Sequence, residues 1–432
     1  MENHEIIEIL EKWNAWTKDI ECGIERQEQL ETLQRLKETK QVVVITGVRR
    51  AGKSTLMKQF IKKSIKMGES RKNFLYINFE EPKFIGELSL NFLQKTYEAY
   101  LEIVKPTSKP IIFLDEVQNV KEWEKFVRAL HEKDEATIFV SGSSSKLLSK
   151  EFGTILTGRH VDLIVHPLTF KEFLAFNNLG FTSVLELLSN KIKIKQKLRE
   201  YLTYGGLPLV TLIKEKDEVL TRYFEDILAR DIAERHKIKK IDKLRTLAKY
   251  YLTNISAPCS FRKIQRFIGV SLDSVERYSQ YLNDAYLLFY ISKYSNSLKE
   301  QEVNPKKVYS VDLGLRNIIS FKFSEDLGKL YENTVFLHLP NKTDEVYYYK
   351  GKNECDFILK KGKTVHQAIQ VCYSITKENK EREVNGLLEA MQEFKLKNGL
   401  IITEDFETTE KYSNKTIHYV PLWKWLLNRS GE

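Results

Sequence analysis

Gln41-Val-Val-Val-Ile-Thr-Gly47-Val-Arg-Arg-Ala-Gly52-Lys53-Ser54-Thr55 decides the fold. An apolar run of strand length enters a loop of the pattern GxxxxGK[ST], and a helical pattern follows at once. That strand–loop–helix setting is the context the motif requires. Glycines let the backbone curl so that successive N–H groups point inward, and the helix beginning at Lys53 adds the positive end of its dipole. Gly47, Arg49, Arg50, Ala51, Gly52, Lys53, Ser54 and Thr55 are therefore the expected phosphate cradle. Lys53 is expected to bridge the β and γ phosphates, and Ser54 to ligate Mg2+.

Working outward, the next informative stretch is Pro110-Ile-Ile-Phe-Leu-Asp115-Glu116, an apolar run ending in two carboxylates. Asp115 is the expected magnesium holder, and Glu116 the residue that orients or deprotonates the attacking water. The bland alternative is a strand followed by an acidic helix start. Thr137–Val140 runs into Ser141-Gly-Ser-Ser-Ser145, so Ser143 or a neighbour is a γ-phosphate sensor or else an ordinary helix cap. Arg159 is the expected cation for transition-state charge, in cis or from a neighbouring subunit; Arg50, Arg222, Arg230 and Arg235 are the alternatives. The loop fixes phosphates and leaves the base open, ATP or GTP, with Gly23–Arg26 as the candidate purine pocket.

Short apolar runs recur at Phe74–Asn78, Ile111–Leu114, Thr137–Val140 and Val161–Val165. Helical stretches separate them at Ser54–Lys66, Leu90–Ile103, Lys121–Glu132 and Ser145–Glu151, after an amphipathic opening at Ile6–Thr17 and Arg26–Thr39. This alternation predicts an α/β fold: the parallel sheet of a P-loop NTPase wrapped by helices. Beyond Pro167 the pattern turns helical to about Lys239, broken only by Gly205-Gly206-Leu207-Pro208, as a lid or connector would be. Three helices and two strand-like runs between Leu244 and Val311 have the order of a winged helix-turn-helix. A last α/β unit begins near Asp326, with a helix at Leu327–Leu339 and strands at Glu345–Tyr349, Asp356–Lys360 and Gln367–Cys372. A helix at Lys380–Phe394, a strand at Gly399–Thr403 and a closing segment Pro421–Leu427 complete it. The expected division is 1–168, 169–240, 241–318 and 319–432.

The 432 residues carry a net charge of +10, a balance that suits phosphate backbones but equally a lysine-rich solvated surface. No stretch is long and apolar enough for a membrane span, and Met1-Glu2-Asn3-His4-Glu5 does not read as a secretory signal. Cys22, Cys259, Cys355 and Cys372 lack CxxC spacing, so neither a disulfide framework nor a zinc site is expected. A cytoplasmic location is the expectation.

Gly47–Thr55, Leu114-Asp-Glu-Val-Gln118, Ser141–Ser145 and His166-Pro-Leu-Thr-Phe-Lys-Glu-Phe173 together resemble AAA+-type ATPases of archaea and bacteria. In that family a P-loop domain is fused to a winged helix and a C-terminal nuclease-like domain. Tyr204-Gly-Gly-Leu-Pro208, Arg230-Asp-Ile232, Val308-Tyr-Ser-Val-Asp312, Tyr331-Glu-Asn-Thr-Val-Phe336 and Ile369-Gln-Val371 extend the resemblance over nearly the whole chain. It implies Mg-dependent ATP hydrolysis, with nucleic acid or a protein as partner and oligomers possible.

The tail order is similar to the restriction-endonuclease-like fold, whose active members hold magnesium with acids and support water with an acid-x-Lys lysine. Glu332 and Asp356 are the candidate acids, but Gln370-Val371-Cys372 stands where Glu-x-Lys is wanted. Lys350 or Lys360 would have to supply the cation. The expectation is a retained binding or assembly platform rather than a nuclease. In the winged-helix segment the third helix, Ser271–Tyr281, has a single arginine with Asp273 and Glu276 beside it, a poor base reader. Lys293, Lys299, Lys306 and Lys307 are the expected phosphate grip, the alternative being a packing module.

Overall fold

The computed structural model describes residues 1–144, 158–181, 183–320, 327–339 and 344–427. The chain forms two compact units, Met1–His166 with Asp284–Tyr286, and Pro167–Asn283 with Leu287–Glu432.

In the first unit β1 (Val42–Thr46), β2 (Phe74–Asn78), β3 (Ile111–Asp115), β4 (Thr137–Gly142) and β5 (His160–Ile164) form one sheet. Its order is β2-β3-β4-β1-β5 and every pair is parallel. Parallel strands need helical crossovers, so both faces are covered and the strands read as unbroken apolar runs. Here α1 (Asn3–Glu11), α2 (Gln27–Lys37), α3 (Lys53–Lys66), α4 (Leu90–Ala99) and α5 (Trp123–Glu132) do the covering. Ile6 and Leu10 of α1 join Leu75, Ile77, Ile112, Leu114 and Trp123 in one buried cluster. Elsewhere in this core Phe113 and Phe139, in register on β3 and β4, stack at 4.6 Å, and Phe60 of α3 packs 5.3 Å from Phe139. The expected helix over Leu90–Ile103 ends earlier, in a π turn at Tyr100–Val104. The helix expected at Ser145–Glu151 lies outside the described residues.

The second unit opens with helices Phe170–Phe176, Val184–Ser189, Lys191–Tyr204, Pro208–Leu212 and Lys216–Asp226, then a π segment Ile227–Glu234. The break at Gly205 has a physical cause. Its φ is +73°, and a Cβ there would lie 2.2 Å from the Asp312 carboxylate. Asp312 is fully buried, accepting from the Gly206 N–H at 2.7 Å and the Leu315 N–H at 3.1 Å. Two motifs a hundred residues apart thus meet on one carboxylate.

Helices Ile241–Thr253, Phe261–Ile268 and Leu272–Asp284 follow, with strands β6 (Pro258–Cys259), β7 (Leu288–Lys293) and β8 (Lys306–Ser310). Beyond helix Leu327–Leu337 come β9 (Glu345–Lys350), β10 (Glu354–Lys361), β11 (Thr364–Val371), helix Lys380–Glu393 and β12 (Asn398–Thr403). A hairpin, β13 (Thr408–Tyr412) and β14 (Lys415–Pro421), and helix Leu422–Leu427 close the chain. All nine strands join in the order β13-β14-β12-β11-β10-β9-β7-β8-β6. The link is the parallel pairing of β7 with β9, Ser292 opposite Tyr347. The strands described within 241–318 and within 319–432 therefore share one sheet.

Among the described residues no helix is long and apolar enough to cross a membrane. The four cysteines are free and buried.

Candidate functional site

The loop after β1 is pinned by its own backbone. Gly47 has φ +140°, and a Cβ there would stand 2.1 Å from the carbonyl oxygen of Val165, just beyond β5, so the loop can pass this close to Val165 only with glycine. Gly52 (φ +96°) caps α3, which starts at Lys53. The Lys53 ammonium, 5% exposed, donates to the carbonyls of Gly47 (3.0 Å) and Val48 (3.3 Å). It also lies 4.0 Å from Glu116 Oε1.

Because β4 separates β1 from β3, the end of β4 stands between the loop and the two carboxylates. Glu116 adopts φ +55°, a left-handed conformation costing a non-glycine residue of order 1–3 kcal/mol. The turn divides the pair. Asp115 is buried and accepts from the Tyr76 hydroxyl at 2.5 Å and from Ser141 Oγ. The Ser54 hydroxyl reaches Asp115 as well. Glu116 faces Lys53 and accepts from Gln118 Nε2 at 2.6 Å, while its N–H donates to Ser141 Oγ at 3.1 Å. Burial, with the Glu116 charge beside it, pushes the Asp115 carboxyl above its ordinary value, and the three hydroxyls oppose that. A buried carboxylate hydrogen-bonded by hydroxyls, next to the serine of the loop, is a hard-oxygen donor set that fits Mg2+.

The structure thus brings Lys53, Ser54, Asp115 and Glu116 together. Arg49 pairs with Glu80 at 3.6 Å; Arg50, with φ +70°, and Thr55 are exposed; Ala51 is buried. Ser143 is buried just beyond β4, and Ser141, its neighbour two residues earlier, is the serine that touches Asp115.

Arg159 is not brought to the site. Its carbonyl accepts from the Val42 N–H, and His160 pairs with Val42 whereas Ile164 pairs with Thr46. Arg159 therefore stands at the opposite end of β1 from the loop, roughly 13 Å away at about 3.3 Å per residue. It pairs with Glu132, so a role in cis is corrected. Arg222, Arg230 and Arg235 belong to the second unit.

Sequence reasoning missed Tyr76, and for two segments it had named it did not find the observed part: Ser141 as the Asp115 partner, and the clamp on the loop. That clamp is Arg26, which donates to the Ala51 and His166 carbonyls, both at 3.1 Å. Gln59 of α3 holds the same segment through the carbonyls of Cys22 (2.8 Å) and Ile24 (2.6 Å). Gly23–Arg26 lies against the loop in this way.

In the tail, Glu332 and Asp356 meet as expected, but neither Lys350 nor Lys360 supplies the cation. Lys360 pairs with Glu345 at 2.7 Å, and Lys350 reaches only Glu354, at 3.5 Å. Lys307 is the residue in the centre, 1% exposed, which also removes it from the expected phosphate grip. Burial and the Asp356 charge push the Glu332 carboxyl above its ordinary value, and Lys307 opposes that. Burial pushes the Cys372 thiol up to about 12, so it is a neutral thiol. Among the described residues no group of three or more His, Cys, Asp or Glu is arranged to hold a metal ion.

Loop, sheet order and carboxylates define a P-loop ATPase domain of the AAA type. Residues 39–174 match the family described as AAA domain, 195–326 and 327–425 two domains of unknown function, DUF8612 and DUF4143. The chain belongs to the family of the uncharacterized protein MJ1544 of Methanocaldococcus jannaschii, with 36% identity over 89% of this chain and 88% of that protein. An uncharacterized protein of Haemophilus influenzae is 30% identical over 94% of this chain and 98% of its own length. Among solved structures, the Walker-type ATPase PABY2304 of Pyrococcus abyssi aligns with a TM-score of 0.40 at 14% identity, covering 68% of this chain and 95% of that one.

Proposed function

We propose that this chain binds and hydrolyses Mg-ATP and uses the cycle to change how its C-terminal modules engage nucleic acid, mainly through phosphates. The observation that carries it is the convergence of Lys53, Ser54, Asp115 and Glu116 around one loop. Lys53 would leave the Gly47 and Val48 carbonyls for the β and γ phosphates. Ser54 and Asp115 would hold magnesium, which when bound neutralises charge on the phosphate oxygens. Glu116, held by Gln118, would take the proton of the attacking water, and Ser143 would sense the γ-phosphate. Arg50 or an arginine of a neighbouring subunit, Arg159 included, would meet the transition-state charge. A cytoplasmic location accords with this.

Segment 241–318 is read as a winged helix and the tail as nuclease-like. The basic face is on helix Phe261–Ile268, where Arg262, Lys263 and Arg266 are exposed. A second reading, a nucleotide-dependent switch that touches only proteins, is favoured by the helix Leu272–Asp284, whose Arg277 is paired with Asp273 at 3.3 Å. ATP turnover with and without duplex DNA separates the two: stimulation supports the first, indifference the second.

A further inference from the structure

The nuclease-like resemblance implies a metal between Glu332 and Asp356, and the residues present do not fit one. We infer that the Lys307 ammonium stands in the metal's place, so that this cluster takes up no divalent cation and cuts no phosphodiester.

An ammonium has three N–H donors and no acceptor. Lys307 Nζ has three carboxylates at hydrogen-bond distance: Glu354 Oε1 at 2.8 Å, Asp356 Oδ1 at 2.9 Å and Glu332 Oε1 at 3.0 Å. Two N–H groups are hydrogen-bonded, to Glu332 and Asp356, and the ammonium is ion-paired with Glu354, so it is committed to the three acids rather than to an attacking water or a scissile phosphate. The Tyr348 ring closes a further side, 5.7 Å from Nζ. These separations are those of N–H···O bonds, whereas Mg2+ asks for oxygens at about 2.0–2.1 Å.

Part of the acids' remaining acceptor capacity is also taken. Glu332 Oε1 accepts from the Tyr309 hydroxyl at 2.7 Å, and Asp356 Oδ2 from the Val371 N–H at 2.9 Å. Gln370 stands where a third acid would be. Its carbonyl accepts from the Asp356 N–H at 3.2 Å, and its amide donates to Glu383 at 2.6 Å.

The arrangement has a structural consequence. Lys307 belongs to β8, Glu354 and Asp356 to β10, and Glu332 to helix Leu327–Leu337. The ammonium joins the strand of one domain of unknown function to the acids of the next. Removing one partner of such a buried set leaves uncompensated charge in the interior, a strongly destabilising change.

The test counts Mn2+ bound to the nucleotide-free full chain by electron paramagnetic resonance. An Asp115→Asn background removes the ATPase site's own carboxylate. We expect no Mn2+ whose binding depends on Asp356, and no plasmid cleavage with Mg2+ or Mn2+. Adding Lys307→Ala is expected to create one Mn2+ site per chain, lost again with Asp356→Asn. Folding of the Lys307→Ala chain only in the presence of Mn2+ has the same meaning. Mn2+ binding or plasmid cleavage by the Lys307-containing chain, abolished by Asp356→Asn, overturns the inference whether or not the lysine variant folds. So does a folded Lys307→Ala chain that binds no Mn2+.

Discussion

The Tyr76 hydroxyl donates to Asp115 Oδ2 at 2.5 Å, from a tyrosine that is itself fully buried on the strand beside Asp115's own. Burial and the Asp115 charge hold the tyrosine pKa well above its ordinary value. Tyr76→Phe frees one oxygen of the carboxylate proposed to hold magnesium and removes a contact to Ser54, with the loop's glycines and Lys53 unchanged. The magnesium concentration for half-maximal turnover should rise on the order of ten-fold, as for other groups that orient a metal ligand, with nucleotide binding nearly unchanged. A magnesium titration of turnover checks this.

Glu116 is held toward Lys53 by its left-handed backbone and by Gln118. Glu116→Gln keeps size and hydrogen bonding but cannot accept the water's proton. Turnover should fall by about 10²-fold or more while ATP still binds, a split visible in single-turnover kinetics alongside equilibrium binding.

Asp312 gives a pH signature of the second unit. Burial raises its pKa from 3.8 to about 6 against the opposing N–H groups of Gly206 and Leu315. The folded chain therefore holds this proton more tightly than the unfolded one. Its contribution to stability is fully present below about pH 3.8 and is lost as pH rises through about 6. Wild type minus Asp312→Asn, which carries no titrating group, should decline by up to about 3 kcal/mol between pH 4 and 7 in denaturant unfolding.

The parts of the fold that the sequence announces are those set by local pattern. Strands buried on both faces, such as Phe74–Asn78, print unbroken apolar runs, and the loop prints its own glycines and lysine. The hairpin Thr408–Tyr412 with Lys415–Pro421 was not announced. Its turn, Ser413–Asn414, lacks the Asn-Gly signal, and its outer strand Thr-Thr-Glu-Lys-Tyr is polar. Lys307 misled for a different reason. A lysine beside Lys306 reads as a solvated charge, and only the pairing of β7 with β9 carries it among acids from distant segments. Tyr76 was illegible because any large apolar side chain suits that strand position. Arg159 went astray because a residue's end of the sheet depends on strand register, which its sequence neighbourhood does not encode.

Nucleic acid binding should run through helix Phe261–Ile268. Replacing Arg262, Lys263 and Arg266 with Ala should weaken duplex DNA binding for all sequences alike. The salt dependence should flatten by about 0.9 in log–log slope for every phosphate that is no longer neutralised. Fluorescence anisotropy over a range of salt concentrations measures both; an unchanged slope assigns this face to a protein partner.

ATP binding and Mg-dependent phosphate release, measured side by side on the wild-type chain and on Lys53→Ala, bear most directly on the nucleotide site. The wild type should bind ATP and release phosphate only with Mg2+, and the variant should lose both. Equal binding and equal turnover in the two proteins would contradict a phosphate cradle at Gly47–Thr55.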